Sequence, residues 1–262
     1  MWTALLLAGQ RPGIDALAAA FGETRKALVP VAGEAMLSRV ARTLLACPEV
    51  SRVVVLAQDV EALTATADTS WLASEPRVSF AVSEGGIAVS VAAVAGTATA
   101  PWPVLVTTAD HPLLTPAMVA EFLAGTGNAD VAVAVVERRV VLAAYPANQR
   151  TWLKFRGGAW SGANLFALSD ARAAAALAMW AGVERDRKSG WRLILKLGPL
   201  LLAGAALRVL TLHDAVARVG RRLGLVMRAV ALSQAEAAID VDKPSDHALA
   251  QAILSARVQT LA

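Results

Sequence analysis

Short apolar runs and longer segments of helical period alternate along the chain, most regularly in its first half. Strands are predicted at 2–8, 52–57, 77–82, 104–108, 130–136, 140–145 and 226–231. Helices are predicted at 34–46, 59–68, 86–96, 115–125, 169–181, 190–208, 211–222 and 244–257. Strands that alternate with helices imply right-handed crossovers and a parallel sheet covered on both faces. The pattern therefore predicts an α/β fold, a three-layer sandwich with a mostly parallel sheet, whose ligands bind at the carboxyl ends of the strands.

A basic, leucine-rich stretch at about 183–225 interrupts this alternation, and we interpret it as a helical insertion within a single domain spanning 1–262. Between Val183 and Val230 there are ten cations and three acids, a charge of +7, so the rest of the chain carries −3 of the net +4. Such asymmetry favours a face that meets anions. The alternatives are a peripheral membrane contact or a lipid-linked acceptor, a homodimer interface, and packing on the sheet with solvated arginines.

Composition narrows the class of protein. With 56% hydrophobic and 18% charged residues, the chain is not disordered. Cys47 is the only cysteine, which excludes an intrachain disulfide and a cysteine-based zinc cluster and favours a cytoplasmic location. The uncharged stretch 85–109 contains Gly96, Pro101 and Pro103, so a helix, a loop and a buried strand are expected there instead of a membrane span. The apolar run at 2–8 is interpreted as a strand and not as a targeting segment, and no nucleic-acid partner is expected.

The first predicted strand ends in a glycine loop that suits a polyphosphate. Gly9 lets backbone N–H groups approach oxyanions, and Arg11 and Lys26 supply positive charge for phosphate contacts. The alternative is a strand and turn with surface cations, since neither the dinucleotide nor the Walker A pattern is present. Backbone contacts to the nucleotide are expected from the strand end and the loop, at Leu7, Ala8, Gly9, Gln10 and Gly13.

Two acidic motifs supply the carboxylates of a metal site. Asp110 follows the strand predicted at 104–108, so it lies at the same edge of the sheet as Gly9. Asp242 belongs to a second motif, and together the two carboxylates suit Mg²⁺, which binds a few carboxylates, waters and phosphates. The alternative for Asp110 is a turn before proline. Asp246 is interpreted as a complement to a helix N-terminus.

A loop at 83–90 suits the nucleobase. It contains two glycines before a predicted helix, and we expect this loop, with Glu84, Gly85 and Ser90, to hold the base by backbone contacts. Ala109, at the end of the strand predicted at 104–108, is expected to contact the nucleotide. An ordinary helix start explains the same residues equally well.

A second glycine-rich segment, at 155–168, precedes an apolar run and is predicted to be a substrate loop. Arg156, Gly158 and Asn164 are its candidate acceptor contacts, because they place polar groups beside flexible backbone. The alternative is an ordinary turn into a strand.

Taken together, the chain resembles the MobA-like nucleotidyltransferases of the glycosyltransferase-A-like superfamily. The resemblance covers about 1–170 and 226–257, and its motifs are Leu5-Leu-Leu-Ala-Gly-Gln-Arg-Pro-Gly13, Arg25-Lys-Ala-Leu-Val-Pro-Val-Ala-Gly33, Thr108-Ala-Asp-His-Pro112 and Ile239-Asp-Val-Asp-Lys-Pro-Ser-Asp-His-Ala-Leu249. It implies a nucleotide-diphospho-sugar-transferase-like fold and Mg²⁺-dependent transfer of NMP from an NTP to a phosphorylated acceptor. Arg11 and Lys26 would act in catalysis, and Asp110 and Asp242 would bind the metal. The chain departs from the family pattern at Gln10, where a second glycine is usual.

Two other functions fit parts of the sequence. One is a GT-A glycosyltransferase that uses a nucleotide-sugar donor, although a loop rich in cations suits an NTP better. The other is a catalytically inactive binding module that docks through its basic helices, which the presence of Asp110 and Asp242 argues against.

Overall fold

The computed structural model of the protein describes residues 1–10, 13–185 and 209–261. Its strands are β1 (Trp2–Leu7), β2 (Pro30–Val31), β3 (Glu34–Ala35), β4 (Val50–Ala57), β5 (Val78–Val82), β6 (Val104–Thr108), β7 (Val131–Glu137), β8 (Leu153–Phe155), β9 (Gly158–Leu168) and β10 (Met227–Leu232). Its helices are α1 (Ala16–Ala20), α2 (Met36–Ala46), α3 (Val60–Thr64), α4 (Ile87–Val94), α5 (Pro116–Thr126), α6 (Arg138–Ala144), α7 (Ala174–Arg185), α8 (Leu212–Leu223) and α9 (Pro244–Leu261). The helix predicted at 190–208 lies outside the described residues.

Within the described residues, eight strands form one mixed sheet in the order β10-β7-β9-β6-β1-β4-β5, with β8 paired to β9, and β2 and β3 form a separate hairpin. Strand β1 is parallel to β4 and β6, and β7 is parallel to β10. Strand β9 is antiparallel to both of its neighbours, β6 and β7. The prediction of a mostly parallel sheet is confirmed, and β9 brings its amino end to the edge where the parallel strands end.

Helices cover both faces of the sheet, as the apolar strands require. In β1, Ala4 and Leu6 pack on the face that carries α2, α3, α5 and α6. Leu5 packs on the opposite face, against α4 and α7. A third apolar cluster joins α1 and α9 to the segment around Ile239 and Val241, beyond the sheet edge. Since successive strand residues point to opposite faces, strands buried on both sides are apolar throughout.

The strand predicted at 140–145 is wrong, because this segment belongs to helix α6. Its β-branched residues Val140 and Val141 favour a strand locally. However, β7 already has β10 on one side and β9 on the other, so no free position remains beside it in the sheet. Val141 is buried against the sheet from one face instead.

The other predicted elements within the described residues are present with shifted ends, whereas α1, the β2–β3 hairpin, β8 and β9 are not among the predicted elements. The segment predicted as a substrate loop is largely part of β9, whose 11 residues include both Gly158 and Asn164. Among the described helices, none combines the length and the apolar character needed to cross a membrane.

Candidate active site

The carboxyl ends of β1 and β6 form the floor of the candidate site. The N–H of Ala109 donates to the carbonyl of Leu7 at 2.9 Å, and the N–H of Ala8 donates to Leu56 at 2.9 Å. Ala8 and Ala109, which are predicted to contact the nucleotide, are both buried. These two residues therefore form the floor of the candidate site. The carbonyl of Asp110 accepts a 2.8 Å bond from the N–H of Val241, which brings the second acidic motif to the first.

Lys26 joins the two predicted metal ligands. Its Nζ donates to Oδ2 of Asp110 at 2.6 Å and to Oδ1 of Asp242 at 2.5 Å. Burial lowers the pKa of Lys26, but the charges and hydrogen bonds of Asp110 and Asp242 outweigh it, and the resulting pKa lies above the ordinary value. The ammonium group therefore stays charged and holds the two carboxylates together.

The oxygens around Lys26 fit a hard divalent cation. Oδ1 of Asp110 is buried and has no hydrogen-bond partner among the described residues. A buried carboxylate oxygen without a partner is costly, and a cation would satisfy it. Mg²⁺ is bound by one or two carboxylates together with substrate phosphates, which matches this pair. In the described part of the chain no group of three or more acidic, histidine or cysteine side chains forms a metal site by itself.

Gln10 fixes the shape of the glycine loop. Its Oε1 accepts from the N–H of Lys26 at 3.0 Å, and its Nε2 donates to the carbonyl of Gly13 at 3.3 Å. Its own N–H donates to Oε1 of Gln58 at 3.0 Å. A Cβ on Gly9 would lie 3.0 Å from the amide nitrogen of Gln58, so this close packing favours glycine there. Arg11 lies outside the described residues.

Asp240 lies two residues before Asp242 and has different partners. Arg150 donates from Nη2 to Oδ1 of Asp240, and Asn164 donates to Oδ2 at 3.3 Å. Asn164 has a φ of 48° at a register shift of β9, which turns its side chain toward Asp240. The sequence reasoning missed Arg150, because it lies in a loop without a motif and pairs with a residue 90 positions away.

His111 is fully enclosed beside these carboxylates. Burial lowers the pKa of its ring to about 4, against the opposing charges of Asp110 and Asp240. The ring is therefore neutral at pH 7 and packs behind the site as an uncharged group.

The loop predicted to meet the base closes on itself. The hydroxyl of Ser90 is buried and contacts Oγ of Ser83 at 2.9 Å and the carbonyls of Glu84 and Gly86 at 3.2 and 3.1 Å. The backbone of Gly85, with φ of 80°, and the side chain of Glu84 are exposed. The loop follows β5 and is tied to β4 by a 2.9 Å bond from the N–H of Ser83 to the carbonyl of Ala57.

The predicted acceptor contacts are spread along β9. Asn164 lies with Asp240, whereas Arg156 and Gly158 lie at the β8–β9 hairpin. The N–H of Arg156 donates to the carbonyl of Leu210 at 2.9 Å, which ties the β8–β9 hairpin to the segment that precedes α8. A shallow concavity adjoins the hairpin and is lined by Glu137, Arg138, Arg139, Leu142 and Ala159.

The fold and the carboxylate pair at its strand ends fit a nucleotidyltransferase, and the sequence match to a family identifies the chain as one. Residues 4–200 match the MobA-like NTP transferase domain, and the chain belongs to that family. No protein with a curated description matches the chain in sequence.

Solved structures share the fold. A hypothetical transferase from Thermus thermophilus is 29% identical, with a TM-score of 0.77, over 94% of this chain and 99% of that one. A CMP-2-keto-3-deoxy-manno-octonic acid synthetase solved with CTP is 14% identical, with a TM-score of 0.57, over 98% of this chain and 100% of that one. A 4-diphosphocytidyl-2C-methyl-D-erythritol synthase from Anaerococcus prevotii is 10% identical, with a TM-score of 0.57, over 97% and 95% of the two chains.

Proposed function

We propose that the protein transfers a nucleoside monophosphate from an NTP to a phosphorylated small-molecule or lipid-linked acceptor, with Mg²⁺ as cofactor and release of pyrophosphate. The observation that carries the proposal is the position of Lys26, Asp110 and Asp242 beside the glycine loop. The fold neighbour that was solved with CTP supports nucleotide binding by this architecture.

In the proposed reaction, an oxygen of the acceptor phosphate forms a bond with the α-phosphorus of the NTP. The bond from that phosphorus to the oxygen that bridges to the β-phosphate breaks, and pyrophosphate leaves with the electron pair. Lys26 supplies positive charge to the triphosphate, and the Gly9 loop offers backbone N–H groups to it. Mg²⁺ held by Asp110 and Asp242 would neutralise negative charge on the reacting phosphates.

The acceptor is proposed to lie along β9, between Asn164 and the β8–β9 hairpin. The exposed Arg156 at the hairpin offers positive charge to an anionic acceptor. The nearby concavity between α6 and β9 is lined by the basic Arg138 and Arg139 and by the apolar Leu142 and Ala159. This region is distinct from the glycine loop, as two phosphorylated substrates in one site require.

Product analysis tests this function. The full-length protein is incubated with each of the four NTPs, MgCl₂ and a panel of sugar phosphates and alcohol phosphates. We expect pyrophosphate to appear together with a new pyrophosphate-linked product in ³¹P NMR spectra. Release of a nucleoside diphosphate from nucleotide sugars would identify a glycosyltransferase instead. No turnover with any NTP or nucleotide sugar would identify a binding module.

We propose further that the chain forms a single domain in the cytoplasm and that the basic segment 183–225 contacts an anionic membrane surface or a second copy. In its described part, Leu212 of α8 packs against Val135 and Ala229, while Arg221 and Arg222 are exposed. Because the apolar side of α8 is used within the fold, this helix offers electrostatic attraction and not insertion. Flotation with anionic vesicles at low and high salt tests the membrane contact, and light scattering tests the dimer.

A further inference from the structure

Helix α7 brings a carboxylate to the loop that is proposed to meet the base. Oε2 of Glu184 accepts a 3.0 Å hydrogen bond from the N–H of Ala88 in the first turn of α4. The N-cap residue of α4 is Gly86, which has no side chain of its own to make this bond. A Cβ on Gly86 would lie only 2.5 Å from Oε2 of Glu184, so the glycine leaves room for the carboxylate.

Besides Glu184, the polar side chains at this loop are the exposed Glu84 and the two serines, Ser83 and Ser90. The Ser90 hydroxyl is buried and bonded within the loop, as described above. Oε1 of Glu184 receives no hydrogen bond from the described residues, and the side chain is half-buried. A carboxylate only accepts hydrogen bonds, so the group that meets Oε1 must be a donor.

Charge orients the nucleotide across the site. Lys26 attracts phosphates at the Gly9 end, and Glu184 repels them at the α4 end. The two ends are connected through β4, because Gln58 contacts the Gly9 loop and Ala57 binds Ser83. An NTP with its phosphates near Lys26 therefore directs its base toward the loop at 83–86 and Glu184.

We infer that Glu184 selects the nucleobase, favouring bases with an exocyclic amino group over uracil. The inference rests on the proposed function. Cytosine and uracil form the sharpest comparison, because the N4 amino donor of cytosine is replaced by the O4 acceptor of uracil. An amino group donates to Oε1, whereas O4 would face the carboxylate oxygen without a proton between them. Guanine and hypoxanthine provide the same comparison through the 2-amino group.

The test uses Glu184→Gln, which keeps an oxygen for the N–H of Ala88 and replaces the free carboxylate oxygen with an amide donor. Dissociation constants are measured by calorimetry for CTP, UTP, GTP and ITP in the presence of MgCl₂. The matched control is Glu75→Gln, because Glu75 also accepts a backbone N–H bond, from Arg77 at 3.2 Å, but lies before β5 at the opposite edge of the sheet. Thermal unfolding checks that both variants fold.

In the wild-type protein we expect CTP to bind about tenfold tighter than UTP, or GTP about tenfold tighter than ITP, as one charge-assisted hydrogen bond provides. Glu184→Gln should reduce that ratio to about twofold or reverse it, and Glu75→Gln should leave it unchanged. An unchanged ratio in Glu184→Gln would show that Glu184 only caps α4, which overturns the inference. Wild-type protein that binds UTP as tightly as CTP and ITP as tightly as GTP would overturn it too. Binding of none of the four nucleotides would overturn the proposed function itself.

Discussion

Asp240 and Asp242 are two residues apart in one segment, yet their carboxylates differ in exposure and in hydrogen-bond partners. The Asp240 side chain is 19% exposed and both of its oxygens have partners, in Arg150 and Asn164. The Asp242 side chain is 64% exposed, and its side-chain ion pair is with Lys26. Residues two apart in an extended segment share a face, so the difference comes from their neighbours: Asp240 meets Arg150 and Asn164, and Asp242 meets Lys26. The comparison indicates that Asp240 stabilises the fold, while Asp242 keeps free coordination capacity for a ligand.

The largest effect is expected from Asp110, which contacts the same lysine as Asp242 but has a buried oxygen that no described residue hydrogen-bonds. Asp110→Asn should lower kcat by about 10³-fold, because a neutral amide replaces an anionic ligand where charge develops. Steady-state pyrophosphate release at saturating Mg²⁺ measures this. Asp170→Asn, at the opposite edge of the sheet, is the control and should retain full activity. Near-normal turnover of Asp110→Asn would remove Asp110 from the metal site.

Lys26 connects the Asp242 carboxylate to the Asp110 carboxylate. Lys26→Met should weaken NTP binding by about 100-fold and NMP binding much less, because the lost attraction grows with the number of phosphates. Calorimetric titration with NTP, NDP and NMP measures the trend. Arg52→Met removes a cation from the far end of β4 and should change none of the three. Equal losses for NTP and NMP would mean that Lys26 does not contact the outer phosphates.

Asp240 provides the stability side of the comparison. Asp240→Asn should lower the free energy of unfolding by about 2 kcal/mol, because the largely buried guanidinium of Arg150 loses its counter-charge. Asp242→Asn should lower it by less than about 1 kcal/mol, since the Asp242 side chain is 64% exposed and water screens its charge. Urea denaturation of both variants measures the difference. Equal losses would erase the distinction between the two carboxylates.

In activity, Asp242 should give the smaller effect of the two proposed ligands. Asp242→Asn should lower kcat by about tenfold, because an amide oxygen still ligates Mg²⁺ although more weakly. Raising the Mg²⁺ concentration should restore part of the rate, which separates weaker metal binding from lost chemistry. A rate that does not respond to Mg²⁺ would contradict a ligand role.

The sequence predicted much of this architecture, because it depends on local pattern. Buried strands are apolar throughout, and parallel strands end at one edge, so Asp110 and Gly9 were expected together. The structure places them there and adds Lys26 between Asp110 and Asp242. The roles of these residues in binding and catalysis stay predictions.

What the sequence did not predict depends on contacts between distant residues. Val140 and Val141 favour a strand, and only the occupied positions beside β7 make the segment a helix. The positions of Arg150 and Glu184 in the site depend on hydrogen bonds to residues about 90 positions away, Asp240 and Ala88. No periodicity or motif in the sequence predicts a contact between residues so far apart in the chain. The 3.6-residue and two-residue periods predict only which face of a helix or strand is buried.

The antiparallel course of β9 has a consequence for how such a protein diversifies. The ladder of β9 with β6 begins at Leu165, after Asn164, whereas the β8–β9 turn lies seven residues earlier at Gly157. Lengthening that turn would therefore leave the pairing of β9 with β6, from Leu165 onward, unchanged. Doubling the length of a flexible loop costs only about 0.6 kcal/mol. Under the proposed function, a longer turn would change which acceptors fit beside the hairpin, while the bulge at Asn164 would keep its contact with Asp240.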